Sequence, residues 1–287
     1  MPTTTTENLD RVTDLLDLID ASDDQVSADD LANHVGWHRD HLVRVFRNHV
    51  GVSPDRYQQH LRAEAGRRLL QDRSVLDATI DLGASSPGRV HDLLVTVDAV
   101  TPGEARRGGA GIDATWDEHP TPLGPLVAVT SERGIVQLGF SAETGTETVL
   151  DDVRGRWPEA SLTRVEGAGA AAADHVRNAL AGRAHDGAPL PLLLRGTNLQ
   201  LAVWRALLRL PADTMIAYGE LAAAAGHPSA VRAVASAVGR NPVAPLVPCH
   251  RVLRSTGALG GYRWGLQTKR RLLAIEGAHS DPQQSLI

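Results

Sequence analysis

The chain has a single cysteine, Cys249, among 287 residues. One thiol excludes an intramolecular disulfide and is too few for a thiolate zinc site. Also missing is any apolar run near the ~20 residues that a membrane-spanning helix needs, so a helical membrane protein is excluded. Met1 to Asp10 is polar and acidic, without the basic and then apolar order of a secretory leader. A free thiol and no leader together point to the cytoplasm. The 42% apolar content is too high for a disordered chain and supplies cores for two or three small domains.

Positive charge is scarce overall and concentrated in one place. The net charge is −5, yet from Thr197 to Gly277 ten basic residues stand against only Asp213, Glu220 and Glu276, a local charge of +7. A basic segment in an acidic protein reads as a face for a polyanion; a solvated charged surface would give the same count. Cys249 lies in this segment, at the end of the short apolar run Val243-Ala244-Pro245-Leu246-Val247-Pro248, and His250 and Arg251 follow it at once. A lone cysteine is either apolar filler or a nucleophile. Adjacent positive charge depresses a thiol's pKa from about 8.5 and raises its thiolate fraction, which favours the nucleophile.

From Asn8 to about Arg107 the pattern is helical. Leu9, Val12, Leu15, Leu16 and Ile19 fall at helix spacing. Ser27 can cap the segment that begins at Ala28, with Asp30 in the capping-box position. Val35-Gly36-Trp37 makes a turn, and His38 to His49 then presents Leu42, Val43 and Phe46 inward and Arg39, Arg44 and Arg47 outward. Helix, glycine turn and basic helix outline a helix-turn-helix. The outline recurs at Val75 to Leu82, Gly83 and Pro87 to Val97, with Tyr57 to Leu70 as a connecting helix. Two such units resemble the DNA-binding domain of AraC-type transcription regulators over residues 9–107. From Leu9 to Gly108 twelve arginines face seventeen acids, so the first unit is the better candidate for DNA contact, through Arg39, Arg44 and Arg47, and a purely scaffolding domain remains open.

Gly108-Gly109-Ala110-Gly111 marks a domain boundary. Beyond it the period changes: Leu126 to Thr130 and Ile135 to Phe140 flank a hairpin signal, and helices over Glu147 to Trp157 and Ala170 to Ala181 with an apolar stretch at Leu190 to Leu194 complete an α+β domain over 112–195. From Gly196 a helix runs to Leu210, a second starts at Met215, Gly226-His227-Pro228 makes a turn, and Ser229 to Val238 forms a third. This is another helix-turn-helix, in a domain spanning 196–277, and a disordered tail is expected over 278–287.

Asn241-Pro242, Pro248-Cys249-His250-Arg251-Val252, Gly260-Gly261-Tyr262-Arg263-Trp264-Gly265 and Leu272-Leu273-Ala274-Ile275-Glu276-Gly277 form a long ordered string. It resembles the active-site region of the O6-alkylguanine-DNA alkyltransferases, the methylated-DNA-protein-cysteine methyltransferases. With the helical domain, the chain resembles the Ada-type regulators. No cysteine precedes Cys249, so the zinc-thiolate domain of those regulators cannot be built from this sequence. The resemblance implies a multidomain protein: an all-α AraC-type double helix-turn-helix, an α+β ribonuclease-H-like domain, and a mainly α winged-helix-like catalytic domain.

It also implies an activity and its residues. O6-Methylguanine, and O4-methylthymine, would be flipped out of duplex DNA and lose the alkyl group irreversibly to Cys249. His250 would take the thiol proton through water, Glu276 would hold the other imidazole N–H, Asn241 would tie down the turn before Cys249, and Tyr218 would donate to the purine. Ser229, Ala230 and Ala233 would lie in the minor groove while Arg232 replaces the flipped base in the stack. Tyr262 and Arg263 would close a substrate pocket that Tyr218, Val252 and Trp264 also line. No cofactor and no metal are called for. The expected partners are duplex DNA carrying O6-alkylguanine and promoter DNA, with no membrane, for a monomeric protein. Two other readings stay open at this point: a non-catalytic lesion-binding regulator, and a thiol hydrolase using Cys249, His250 and Glu276.

Overall fold

A computed structural model describes residues 5–22, 25–67, 97–99, 107–183, 190–211 and 214–280. At the N-terminus, α1 (Thr5–Ala21), α2 (Ala28–His34), α3 (Arg39–Val50) and α4 (Pro54–Arg67) form the helical unit. The sequence explains its boundaries. Ser27 Oγ accepts from the backbone N–H of Asp30 at 3.1 Å and caps α2. Gly36 (φ +68) turns the chain between α2 and α3. Helix α3 buries Leu42, Val45, Phe46 and Val50, a stripe at i, i+3, i+4 and i+8, so Val45 takes the inward place expected of Val43, which is half-buried. Gly51 (φ +83) ends α3, and a Cβ there would lie 2.7 Å from the Ala181 carbonyl oxygen. The second expected unit, Val75 to Val97, lies almost wholly outside the described residues.

A six-stranded sheet follows, in the order β1-β6-β4-β3-β2-β5. Its strands are β1 (Val97–Ala99), β2 (Asp113–His119), β3 (Leu126–Ser131), β4 (Gly134–Phe140), β5 (Ser161–Arg164) and β6 (Leu192–Leu194). The β2–β3 and β3–β4 pairs are antiparallel; β5 runs parallel to β2, β6 to β4, and β1 to β6. Helices α5 (Thr146–Arg156) and α6 (Ala170–Leu180) pack on the sheet. Leu126 to Val129 and Ile135 to Phe140 are buried at every position, as strands covered on both faces must be. Asp113–His119 and Ser161–Arg164 carry too few apolar residues to read as strands, and their pairing with β3 and with each other supplies what propensity lacks. Val97–Ala99, expected in the helical domain, instead lends an edge strand to this sheet.

The remaining elements are α7 (Asn198–Leu208), β7 (Ile216–Ala217), α8 (Tyr218–Ala224), α9 (Val231–Gly239), a 3-10 turn over Cys249–Arg251, β8 (Val252–Leu253) and α10 (Leu266–Ser280). The expected second helix starts later than Met215, because Ile216 and Ala217 pair in parallel with Val252 and Leu253. Helix α9 starts at Val231, so Ser229 and Ala230 belong to the turn before it. The expected tail is corrected at its start: α10 continues to Ser280, Ala278 is fully buried, and His279 Nε2 lies 3.0 Å from the Val50 carbonyl.

Helix α10 ties the units together. It packs on α4 and against the 3-10 turn, and Arg271 bonds both Asp17 and Asp20 of α1. Asp20 is 1% exposed in its side chain, and burial raises its pKa against the pull of Arg271. Removing the cation would leave a buried carboxylate unpaired. Arg271→Met should therefore cost about 3–5 kcal/mol in urea unfolding, and the same change in an Asp20→Asn background should cost clearly less.

Candidate active site

The loop from Asn241 to Pro248 is held from two sides. The β4 strand reaches it by backbone: Leu138 N–H donates to the Pro242 carbonyl at 2.9 Å, and Ala244 N–H donates to Leu138 O at 3.1 Å. From inside the loop, Asn241 Oδ1 accepts from Val243 N–H at 3.0 Å and Nδ2 donates to Val247 O at 2.8 Å. The same Nδ2 lies 3.0 Å from Cys249 Sγ. Asn241 is 2% exposed, so a side chain without both a donor and an acceptor would orphan buried backbone groups.

Cys249 is 5% exposed and His250 fully buried. His250 Nε2 lies 2.9 Å from Glu276 Oε1. Arg251 grips the same carboxylate with two N–H groups, Nε to Oε2 at 2.9 Å and Nη2 to Oε1 at 3.1 Å, while its Nη1 donates to the Pro211 carbonyl at 2.9 Å. Guanidinium groups only donate, so the carboxylate oxygens accept and His250 Nε2 carries the proton between them. That leaves His250 Nδ1 as the basic atom; it is buried and has no hydrogen-bond partner among the described residues.

Burial dominates the electrostatics. It raises the Cys249 pKa, while Asn241, Lys269 and Tyr262 oppose it by favouring the thiolate. It lowers the His250 pKa despite Glu276, keeping the imidazole neutral and basic. The site at rest is thus a neutral thiol beside a neutral imidazole, with donors arranged to receive a thiolate once the proton moves. The expectation that adjacent positive charge gives Cys249 a depressed pKa is corrected here: desolvation outweighs it, and the Arg251 charge is directed at Glu276.

Tyr218, at the start of α8, is half-buried, and burial followed by the Cys249 charge raises its pKa. Its hydroxyl packs against Gly260, where a Cβ would approach Oη to 2.7 Å. Tyr262 stands against the thiol, its own pKa pushed well above 10 by burial and by Cys249. Val252 and Trp264 are fully buried. Trp264 packs on Gly139 of β4, where a Cβ would come within 2.7 Å of the indole, so it anchors the 260–265 loop from behind instead of lining an open pocket. The Arg263 guanidinium bonds Asp152 of α5 and lies over Trp264.

On α9, Arg232 and Ala233 are exposed, as is Ser229 before it, and Ala230 is half-buried. The indole Nε1 of Trp204 in α7 donates to the Ala237 carbonyl at 2.9 Å and holds α9 in place. Arg39, Arg44 and Arg47 are exposed together along α3, a surface separate from the thiol. Sequence reasoning missed two participants. Arg251 shares Glu276 with the histidine, and Lys269, the only lysine in the chain, is fully buried with Nζ donating to the Val252 carbonyl at 2.7 Å. Its signal was available: Lys269 precedes Glu276 by seven residues, two turns along one helix face. Among the described residues no group of three or more His, Cys, Asp or Glu could hold a metal, and no helix is long and apolar enough to cross a membrane.

A buried thiol with a carboxylate-held imidazole, set behind an exposed helix-turn-helix, defines a DNA-directed protein with a cysteine nucleophile. Two family models match the chain: the DNA-binding domain of 6-O-methylguanine DNA methyltransferase over residues 198–278, and a helix-turn-helix domain over 31–108. The bifunctional transcriptional activator/DNA repair enzyme Ada of Escherichia coli K12 is 32% identical over 276 residues, 95% of this chain and 76% of that protein. A methylated-DNA–protein-cysteine methyltransferase of Mycobacterium tuberculosis H37Rv is 36% identical over 167 residues, 58% of this chain and 94% of that protein. The crystal structure of M. tuberculosis OGT in complex with DNA superposes with a TM-score of 0.49 at 33% identity, covering 58% of this chain and 94% of that one. The chain belongs to the Ada family of methylated-DNA–protein-cysteine methyltransferases that carry a helix-turn-helix domain.

The raised thiol pKa has a consequence for stability. Because the unfolded chain ionises first, the stabilisation is complete below the free-cysteine pKa of about 8.5 and is lost as pH rises above it. Wild-type protein should lose thermal stability relative to Cys249→Ser between neutral and alkaline pH, read as the difference in melting temperature across the two pH profiles.

Proposed function

We infer that the protein repairs alkylated DNA by taking the alkyl group of O6-methylguanine onto Cys249, once per molecule. The observation that carries this reading is the pair of buried hydrogen-bonded groups that meet at the 3-10 turn, Asn241 on Cys249 and Glu276 on His250 and Arg251. The thiol proton passes through a bridging water to His250 Nδ1, and Glu276 stabilises the imidazolium. Sγ then attacks the methyl carbon in line; the S–C bond forms, the C–O6 bond breaks, and the electron pair stays on the guanine, which Tyr218 serves as hydrogen-bond donor. The product is a thioether, a poor electrophile without activation, and the sequence holds no second thiol to receive the methyl, so the protein is consumed. O4-Methylthymine would react by the same displacement.

Arg232, with Ser229, Ala230 and Ala233, is the group we assign to the minor groove, and the exposure of Ser229, Arg232 and Ala233 supports it. Tyr262 and Arg263 would close over the flipped base. We assign the sheet domain, over about 112–195, a ribonuclease-H-like fold, supported by three antiparallel strands followed by a parallel β5 beside β2; the catalytic part from 196 to the end of α10 would be winged-helix-like. The helical domain over about 9–107 is AraC-type in this reading and brings Arg39, Arg44 and Arg47 to promoter DNA. The protein would act as a monomer in the cytoplasm.

Intact-protein mass after incubation with a duplex containing one O6-methylguanine tests the transfer. The wild type should gain one methyl and stop, Cys249→Ser should gain none, and Glu276→Gln should react about 10²–10³-fold more slowly. Turnover beyond one equivalent, or methyl uptake by Cys249→Ser, would overturn the assignment.

A further inference from the structure

Between the sheet and the catalytic helix-turn-helix lies a cleft of about 510 Å³, of whose lining only Arg263 has a place in the alkyl-transfer reading. Arg156 at the end of α5, Arg195 after β6, Arg240 after α9 and Arg263 all line it, together with Asp151 and Asp152. The two carboxylates have cations of their own. Asp151 pairs with Arg154 at 2.6 Å, and Asp152 pairs with Arg263. Arg156 directs its hydrogen bonds to neutral oxygens, Gln137 Oε1 at 2.8 Å and the Arg240 carbonyl at 3.3 Å. Burial, opposed by Asp152 and reinforced by Arg263, Arg195 and Arg240, lowers its pKa to about 10. Arg263 Nε is buried without a hydrogen-bond partner among the described residues. Four guanidinium groups thus line one cleft whose two carboxylates are already engaged, and Arg156, which the other three crowd, would be relieved by an anion there.

The position of the cleft says which anion reaches it. Arg232, Ser236 and Arg240 are exposed and fall at i, i+4 and i+8, on one face of α9 and the residue after it, about 12 Å from end to end. The stripe that starts at the base-replacing arginine therefore ends at the mouth of the cleft. Both DNA grooves are walled by phosphodiester strands, and guanidinium forks match phosphate oxygens two at a time. We propose that this cleft seats a backbone phosphate of the DNA on which α9 lies, with Arg240 and Arg263 at its mouth and Arg156 and Arg195 behind them. The proposal rests on the reading that α9 binds DNA.

The test measures equilibrium binding of the full chain to a short unmodified duplex across a range of KCl concentrations, with Arg240→Gln beside the wild type. The Arg240 side chain is exposed, so the melting temperature should hold. The slope of log K against log [KCl] should become shallower by about 0.9, one phosphate contact. Arg205→Gln, an exposed change in the same domain outside the cleft, should keep the wild-type slope. An unchanged slope for Arg240→Gln overturns the proposal. So does the outcome in which inorganic phosphate raises the melting temperature of the wild type but not of Arg240→Gln while the slopes agree, since the cleft then serves a free anion. Methyl uptake on the same preparations separates the two readings: a slope change without methyl uptake sinks the transfer chemistry and leaves the phosphate seat standing.

Discussion

Glu276 accepts from His250 and Arg251 at once, in a place where its side chain is 8% exposed. A carboxylate taken out of water needs its acceptor sites filled, and here a fork of guanidinium N–H groups and one imidazole N–H fill them. The arrangement fixes three things together: the tautomer of His250, the orientation of the turn that carries Cys249, and the seat of α10 against that turn. Arg251 compensates the charge so that His250 need not. The imidazole can then stay neutral and keep Nδ1 available, which a simple His–Glu ion pair would not allow.

The same helix reaches the other way. Three residues of α10 face three neighbours: Glu276 the 3-10 turn, Arg271 the carboxylates of α1, and His279 the end of α3. Lys269, one face with Glu276, bonds the backbone of β8. The catalytic turn and the N-terminal helices therefore share one rigid element, and the β4 strand supplies the opposing wall through Leu138 and Gly139. The site is made by packing of units far apart in sequence.

Much of this was legible beforehand because the informative residues are adjacent in the chain. Asn241 to Val252 is one short stretch, and the first helix-turn-helix shows itself through Ser27, Gly36 and the α3 stripe, all local signals. What could not be read depends on contacts between distant segments. Asp113–His119 becomes a strand only beside β3, and Ile216–Ala217 only beside Val252–Leu253. The role of Arg251 needs Glu276 at 2.9 Å, and the burial that raises the thiol's pKa has no counterpart in a list of neighbours. Trp264 looked like a pocket wall because it follows Tyr262 and Arg263; the glycine at 139 that receives its ring lies more than a hundred residues earlier.

The central claim is a neutral His250 whose Nε2 carries the proton toward Glu276 and whose Nδ1 is free to take one from Cys249. The most direct measurement is the nitrogen-15 NMR spectrum of the imidazole of His250 in the full chain near neutral pH, assigned by comparison with His250→Gln. The spectrum should show one protonated nitrogen, Nε2, and an unprotonated Nδ1, with the imidazolium forming only at lower pH than for an ordinary histidine. A proton on Nδ1, or on both nitrogens at neutral pH, would contradict it.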